Sequence, residues 1–459
     1  MSDWNRGYPT DAVYVDAIQP AISPWRWKQA VRFAGRDGPD PSAPFRFVDL
    51  GCGTATTMTA LAAAYPWGQF DGYDFMPEPV HMANEIIAEA GLGNARVHEG
   101  SFGEMAATPP EVPYDYAAGH GVWSWVPEAV RAELQQVLAA WLAPGALLYL
   151  GYNTAAGWSA SEPIRQIFRQ TPPGPAHDRF GPARAAVTAW LERTGDRQPM
   201  VRNHWSTMKA SSDGFIMHEL GNPHGTGLWL EQVLAVLDGA KMGYAGPSVL
   251  AEHLDAPFLT EEDMELLRRA VAEGWGETAR DLLHGRYFRK DLYHRGTPGL
   301  PGSGMVAAMR DLRVIPWDME VRMGTHLGVY RRLRQPLPED LAARVMGLAS
   351  EGGTFGAVMD GLNMETLQAF QVTLMALVSG HLLDVRPEDQ VAAAQDGCDR
   401  FNAVMLVRGR DSGHLPGLVS PVTGTCLQFP DEAHREALAG RGSAPELFER
   451  LARIGIAFA

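Results

Sequence analysis

The segment Phe47-Val48-Asp49-Leu50-Gly51-Cys52-Gly53 restricts the fold more than any other stretch of the chain. A short apolar run enters a glycine turn, and an Ala-, Leu- and Met-rich stretch from Ala55 to Tyr65 follows, stopped by Pro66. This reads as buried strand, tight loop and helix, the opening unit of an α/β sheet. Glycine in the loop lets the backbone take positive φ and press against a ligand. A dinucleotide loop would read G-x-G-x-x-G. Here Gly51-Cys52-Gly53-Thr54-Ala55-Thr56 lacks the last glycine. Asp49, two residues before the first glycine, favours a cationic ligand over a pyrophosphate.

The pattern repeats as far as Asn153. Strands are expected at Arg46 to Cys52, Gln69 to Phe75, Ala95 to Glu99, Tyr114 to His120 and Ala146 to Tyr152. Helices are expected from Ala55 to Tyr65, from Pro77 to near Gly91 and from Pro127 to Leu142. Strands alternating with helices imply parallel pairing through right-handed crossovers, hence a doubly wound sheet. After Asn153 the alternation stops, and residues 155–228 read as a helical lid. Met242 to Leu250 and Arg286 to Arg295 supply a sixth and a seventh strand. Thr297-Pro298-Gly299-Leu300-Pro301-Gly302 reads as a linker. The expected organisation is an α/β Rossmann-like seven-stranded domain over 1–296 and a mainly α C-terminal domain over 303–459. Helices at Pro338 to Ser350 and Met364 to Leu377, with His381 to Val385, make that second domain winged-helix-like.

Further stations follow the glycine loop in order. Asp74, ending the second strand, is spaced to accept hydrogen bonds from both hydroxyls of a ribose. Phe75 and Met76 can pack on an adenine face, and Gly100-Ser101-Phe102 falls where the adenine edge would lie. Val48 to Thr54, Gly72-Tyr73-Asp74-Phe75 and Gly100-Ser101-Phe102 resemble motifs I, II and III of class I S-adenosylmethionine-dependent methyltransferases. His120-Gly121-Val122-Trp123-Ser124-Trp125-Val126 and Tyr152 to Trp158 resemble the bacterial methyltransferases that carry a methyltransferase regulatory domain. His218-Glu219-Leu220 and Tyr287 to Tyr293 are similar to that family's middle region. The likeness is specific to about residue 160 and faint in the last third. It implies S-adenosylmethionine as cofactor, held by Asp49, Gly51, Cys52, Gly53, Asp74, Phe75, Met76, Ser101, Phe102 and His120. Some members are protein-lysine methyltransferases. Two positions depart from the family pattern: Ala55 replaces a third glycine, and Ser101 replaces an aspartate.

Acceptor residues should come from the ends of the fourth and fifth strands, beside the transferable methyl. His120, Trp123, Trp125, Tyr152 and Asn153 are the candidates, with Tyr14 from the N-terminal segment that resembles the family's cofactor cover. His120 would be a base, an orienting group or a hydrogen-bonded structural histidine. The tryptophans would form a wall for a cationic group or simply pack in the core. Arg165 and Arg169 could clamp a carboxylate acceptor, although arginines one turn apart more often face solvent. No residue set has metal-ligand spacing.

The formal charge of −15 opposes binding to nucleic acid. Three dispersed cysteines, Cys52, Cys398 and Cys426, argue against a disulfide framework. No apolar run is long enough for a membrane span, and the first residues do not resemble a signal peptide, so a cytoplasmic location is expected. Three functions are weighed. The first is methyl transfer to a nitrogen of a protein or peptide side chain, with the C-terminal domain docking the substrate or a second copy in a homodimer. The second is methylation of nitrogen or oxygen on a small metabolite. The third is a non-catalytic cofactor-binding regulator.

Overall fold

The computed structural model describes residues 8, 17–171, 176–301, 304–317, 333–334, 336–350, 353–429 and 431–457. Its centre is a seven-stranded sheet: β1 (Phe45–Leu50), β2 (Gly68–Asp74), β3 (Ala95–Glu99), β4 (Tyr114–His120), β5 (Leu142–Asn153), β6 (Gly243–Pro247) and β7 (Phe288–His294). The order is β3-β2-β1-β4-β5-β7-β6. β1 to β5 run parallel, as their helical crossovers require. The seventh strand, to which the sequence assigned no direction, is antiparallel to both β5 and β6. After β6 the chain makes a helical excursion through Glu261–Ala272 and Gly276–His284 and re-enters the sheet in the opposite direction. A dinucleotide-binding sheet would end 4-5-6; here an antiparallel strand lies between the fifth and sixth.

One face of the sheet is covered by Glu128–Trp141 and Leu230–Leu237, packed around Leu134, Leu138 and Val233. The other face is covered by Pro24–Phe33, Thr56–Ala64 and Pro77–Glu89. Trp27 stacks there on Tyr149, with ring centroids 5.7 Å apart and planes 6° apart. Thr56–Ala64 is buried at every residue, because a second layer lies outside it. That layer is the 25-residue helix Glu388–Ser412, which no sequence signal singled out. Its Gly397 allows the close approach: a Cβ there would sit 2.7 Å from the Ala63 carbonyl oxygen. Arg386, 1% exposed, ties the two regions by donating to the carbonyls of Ala64 (2.8 Å) and Pro421 (2.9 Å). The Ala64 carbonyl belongs to a helix C-terminus and would otherwise lack a donor.

Between linker and long helix lies a small antiparallel sheet. β8 (Arg313–Pro316) is central, β9 (Gly353–Thr354) and β10 (Leu382–Asp384) flank it, and helices Glu339–Ser350 and Thr366–Ser379 pack around it. A hairpin of β11 (Leu418–Ser420) and β12 (Thr425–Leu427) then joins the core beside Thr56–Ala64. The lid is helical as expected, through Glu162–Gln170, Ala176–Thr194 and Pro199–Met208, and ends in a π-helical turn at Met217–Gly221. Among the described residues, no helix is long and apolar enough to cross a membrane.

Candidate active site

Strand register decides which side chains meet. Asp49 pairs with Ala118, His120 with Gly151, Gly151 with Lys290 and Asn153 with Phe288. Partners opposite each other share a face and side chains alternate along a strand, so Asp49, His120, Asn153, Phe288 and Lys290 all point to one side. Gly151 must lack a side chain: a Cβ there would lie 2.7 Å from His120 Nδ1 and 2.9 Å from the Phe288 ring. A cavity of about 580 Å³ lies over these residues, within the range of small-molecule sites. The glycine loop, Asp74 to Met76, Ser101, Phe102 and Trp125 line it from the sheet side, and Phe215, His218 and Glu219 line it from the lid.

The glycine loop is tied to its neighbour strand. Gly51 N and Cys52 N donate to the Tyr73 carbonyl at 2.8 and 3.1 Å. Gly51 and Gly53 have φ of +70° and +53°. A Cβ on Gly53 would meet nothing within 4 Å, so the backbone there faces open space. Ala55 is left-handed as well, with φ +51°. This costs on the order of 1–2 kcal/mol relative to glycine, which explains why a third glycine suits the position. Asp74 accepts from Gly53 N (2.8 Å) on one oxygen and from Met76 N (3.0 Å) on the other. Each oxygen keeps a lone pair directed elsewhere.

The cavity is electrostatically divided. Burial pushes the Asp49 carboxyl up to about 7, and the charge of Asp74 adds to the shift. Burial also raises Asp74 itself. Two adjacent buried carboxylates call for a cation between or beside them. His120 moves the other way: burial, then the Lys290 charge, lowers it to about 3. It is neutral at any physiological pH, with Nδ1 2.9 Å from the Tyr149 hydroxyl. The Cys52 thiol is pushed up by burial.

Some expected residues lie elsewhere. Tyr152, one position out of phase with Gly151 and Asn153, faces the opposite side of β5. It is fully buried and donates to Asp291 Oδ2 at 2.8 Å. Trp123 packs in the core beneath the sheet, 1% exposed, and only Trp125 of the pair reaches the cavity. Arg165 is buried against Trp158 and donates to the Asn222 carbonyl, so it forms no clamp in the cavity. The Ser101 hydroxyl caps helix Phe102–Ala107 and donates to Glu104 Oε2 at 2.8 Å. Tyr14 lies outside the described residues. From the N-terminal segment it is Tyr8 that lines the cavity, packed edge-on to Phe75 at 5.6 Å. Glu219 and Lys290 stand in motifs quoted above but carried no assigned role. The alternation of Tyr287 to Tyr293 was the signal that could have exposed Lys290. Among the described residues no cluster suits a metal ion.

Residues 48–148 match the model of a methyltransferase domain, and residues 212–295 match that of a predicted methyltransferase regulatory domain. An uncharacterized protein of Synechocystis sp. is 23% identical over 440 residues, covering 92% of this chain and 85% of its own length. A trans-aconitate 2-methyltransferase of Methylobacterium nodulans is 30% identical over 166 residues, covering 34% of this chain and 58% of its own. Among solved structures, PKMT2 from Rickettsia typhi in complex with AdoHcy superposes with a TM-score of 0.68 at 17% identity, covering 97% of this chain and 93% of that one. The open glycine loop, its paired carboxylates and the strand order fit the same cofactor class. The chain therefore carries a methyltransferase domain and a methyltransferase regulatory domain on a class I Rossmann-like fold, and S-adenosylmethionine is its methyl donor.

Proposed function

We propose that the chain methylates a nitrogen on a protein or peptide side chain, with lysine the favoured acceptor. The observation that carries this reading is the lining beyond the glycine loop, where Trp125, Phe215, Tyr287 and Phe288 share the cavity with the buried carboxylate of Glu219. Aromatic faces and a carboxylate attract an ammonium, with cation–π contributions of about 0.5–2 kcal/mol. S-adenosylmethionine supplies an electrophilic methyl on a sulfonium. In this reading Asp49 holds the cofactor's ammonium and Asp74 its ribose. Phe75 and Met76 pack on the adenine, and the backbone at Ser101 and Phe102 faces the adenine edge. A lysine ammonium must first lose a proton, at a cost of roughly 4–5 kcal/mol at pH 7 from a pKa of about 10.4. Desolvation in the pocket lowers that cost by disfavouring the charged form, whereas the Glu219 carboxylate and the ring faces favour it and work against deprotonation. His120 orients rather than abstracts, because a base of pKa about 3 is poorly matched to neutral pH.

Closure of the cavity by Tyr8 and the lid favours a second reading, a small metabolite as acceptor, and one relative above is named for such a substrate. Incubating the protein with methyl-labelled cofactor and a cell lysate separates the two. Label in acid-stable methyl-lysine of protein is the expected result; label confined to small molecules refutes the side-chain reading.

Binding of the cofactor should also depend on pH through Asp49. Below pH 7 its carboxyl is protonated in the ligand-free protein, whereas an ammonium selects the carboxylate. Affinity for S-adenosylhomocysteine should rise by up to about tenfold per unit from pH 5 to 7 and level off above. Calorimetry at pH 6 in two buffers of different ionisation enthalpy should show close to one proton released. Affinity flat across this range would remove Asp49 from the ammonium.

A further inference from the structure

The cation in the cavity has no contact partner among the described residues. Lys290 is the one lysine or arginine among them that lines it, and its ammonium forms no ion pair or hydrogen bond with them. Its charge is felt by His120 and by Glu252, but neither is in contact with it. Beside it is a second unmet group. Asn153 is 3% exposed, lines the same cavity, and its Nδ2 donor has no acceptor. Leaving such a donor buried and unsatisfied costs about 1–3 kcal/mol. Gly151 pairs with Lys290 and Asn153 with Phe288, so Lys290 and Asn153 are diagonal neighbours on one face, about 7–8 Å apart at the backbone. A carboxylate spans that gap, with one oxygen for the ammonium and the other for the amide.

We infer that Lys290 and Asn153 form a carboxylate-binding pair that selects acceptors carrying an anionic group near the methylated atom. This rests on the proposed reading of the cavity beyond the glycine loop as the acceptor site. Three strand spacings of about 4.8 Å, some 14 Å in all, separate β1 from β7. A cofactor ammonium at Asp49 keeps its own carboxylate, two bonds away, on the β1 side. Such an anion belongs to the acceptor, as a free amino acid's carboxylate or an acidic neighbour in a peptide.

The test uses glutarate as the probe, titrated into the full chain saturated with S-adenosylhomocysteine. Lys290→Met should weaken glutarate binding at least tenfold, Asn153→Leu should weaken it as well, and Lys290→Arg should stay within threefold of wild type. Glutaramide, the uncharged comparator, should not distinguish wild type from Lys290→Met. Affinity for S-adenosylhomocysteine should change less than twofold in Lys290→Met, a near-isosteric variant whose fold is checked by thermal melting. Equal glutarate binding by wild type and Lys290→Met, or none by wild type, overturns the inference. A tenfold loss of S-adenosylhomocysteine affinity in Lys290→Met assigns the carboxylate to the cofactor and overturns it too. No methyl is transferred, so this outcome is independent of which atom accepts it in the lysate experiment.

Discussion

Replacing Asp74 with alanine is expected to weaken S-adenosylhomocysteine binding by about 10²- to 10⁴-fold while leaving the protein folded. Each hydrogen bond from a ribose hydroxyl to a carboxylate contributes about 1.5–3 kcal/mol, so losing two removes roughly 3–6 kcal/mol. The same carboxylate also steadies the glycine loop through Gly53 N and the corner through Met76 N. Those two donors face the cavity and can turn to water, so the fold survives their loss. Asp74 is moreover a buried carboxylate beside another, and removing it relieves the repulsion that raises Asp49. Residual binding in Asp74→Ala should therefore keep a pH dependence displaced to lower pH, because the Asp74 charge is gone while burial, the larger cause, still raises the Asp49 carboxyl. Calorimetry gives both quantities. Affinity within threefold of wild type would withdraw the ribose assignment.

Arg289→Met should destabilise the protein by about 3–5 kcal/mol without touching the cavity. Arg289 is 1% exposed and serves three carboxylates: Asp281 at 3.0 Å, Asp291 at 3.0 Å and Glu277 at 3.0 Å. Tyr152 donates to the same Asp291. Without the guanidinium these buried carboxylates lack their main compensation and must take up protons or water. A buried carboxyl whose folded pKa rises above its unfolded value loses stability as pH increases. The deficit of Arg289→Met should thus be larger at pH 8 than at pH 5, measured by denaturant unfolding. Adding Asp281→Asn and Asp291→Asn should restore part of it. A deficit under 1 kcal/mol at pH 8 would show that the network is hydrated and not a stabilising core. The network matters to the site because β7 is shared: Arg289 anchors one face to helix Gly276–His284 through Asp281 and Glu277, and Phe288 and Lys290 stand on the other.

Much of the cofactor half was legible in the sequence, because its determinants are local. Strand, glycine turn and helix are contiguous, and Asp74 and Ser101 stand at strand ends that any reader of periodicity would mark. Their chemistry follows from position along the chain: Asp49, Gly53, Asp74, Phe75 and Met76 all line the cavity. The acceptor half was less legible, because its members come from distant segments. Tyr8, Glu219 and Lys290 share one cavity only because the lid covers the sheet edge and β7 enters between β5 and β6. Tyr152 and Asn153 are adjacent in sequence, yet a period of two sends one into a buried salt-bridge network and the other into the cavity. Which residue faces which way depends on the register with β7, information that no single strand contains. The C-terminal third shows the same limit. Its helices could be read singly, but the burial of Thr56–Ala64 beneath Glu388–Ser412 depends on Gly397 and Arg386 meeting Ala63 and Ala64 across more than three hundred residues. Sequence by itself determined the nucleoside cradle, since backbone conformation and short-range spacing specify it. Tertiary structure alone decided the proposed acceptor chamber, since long-range pairing sets which side chains share one desolvated space.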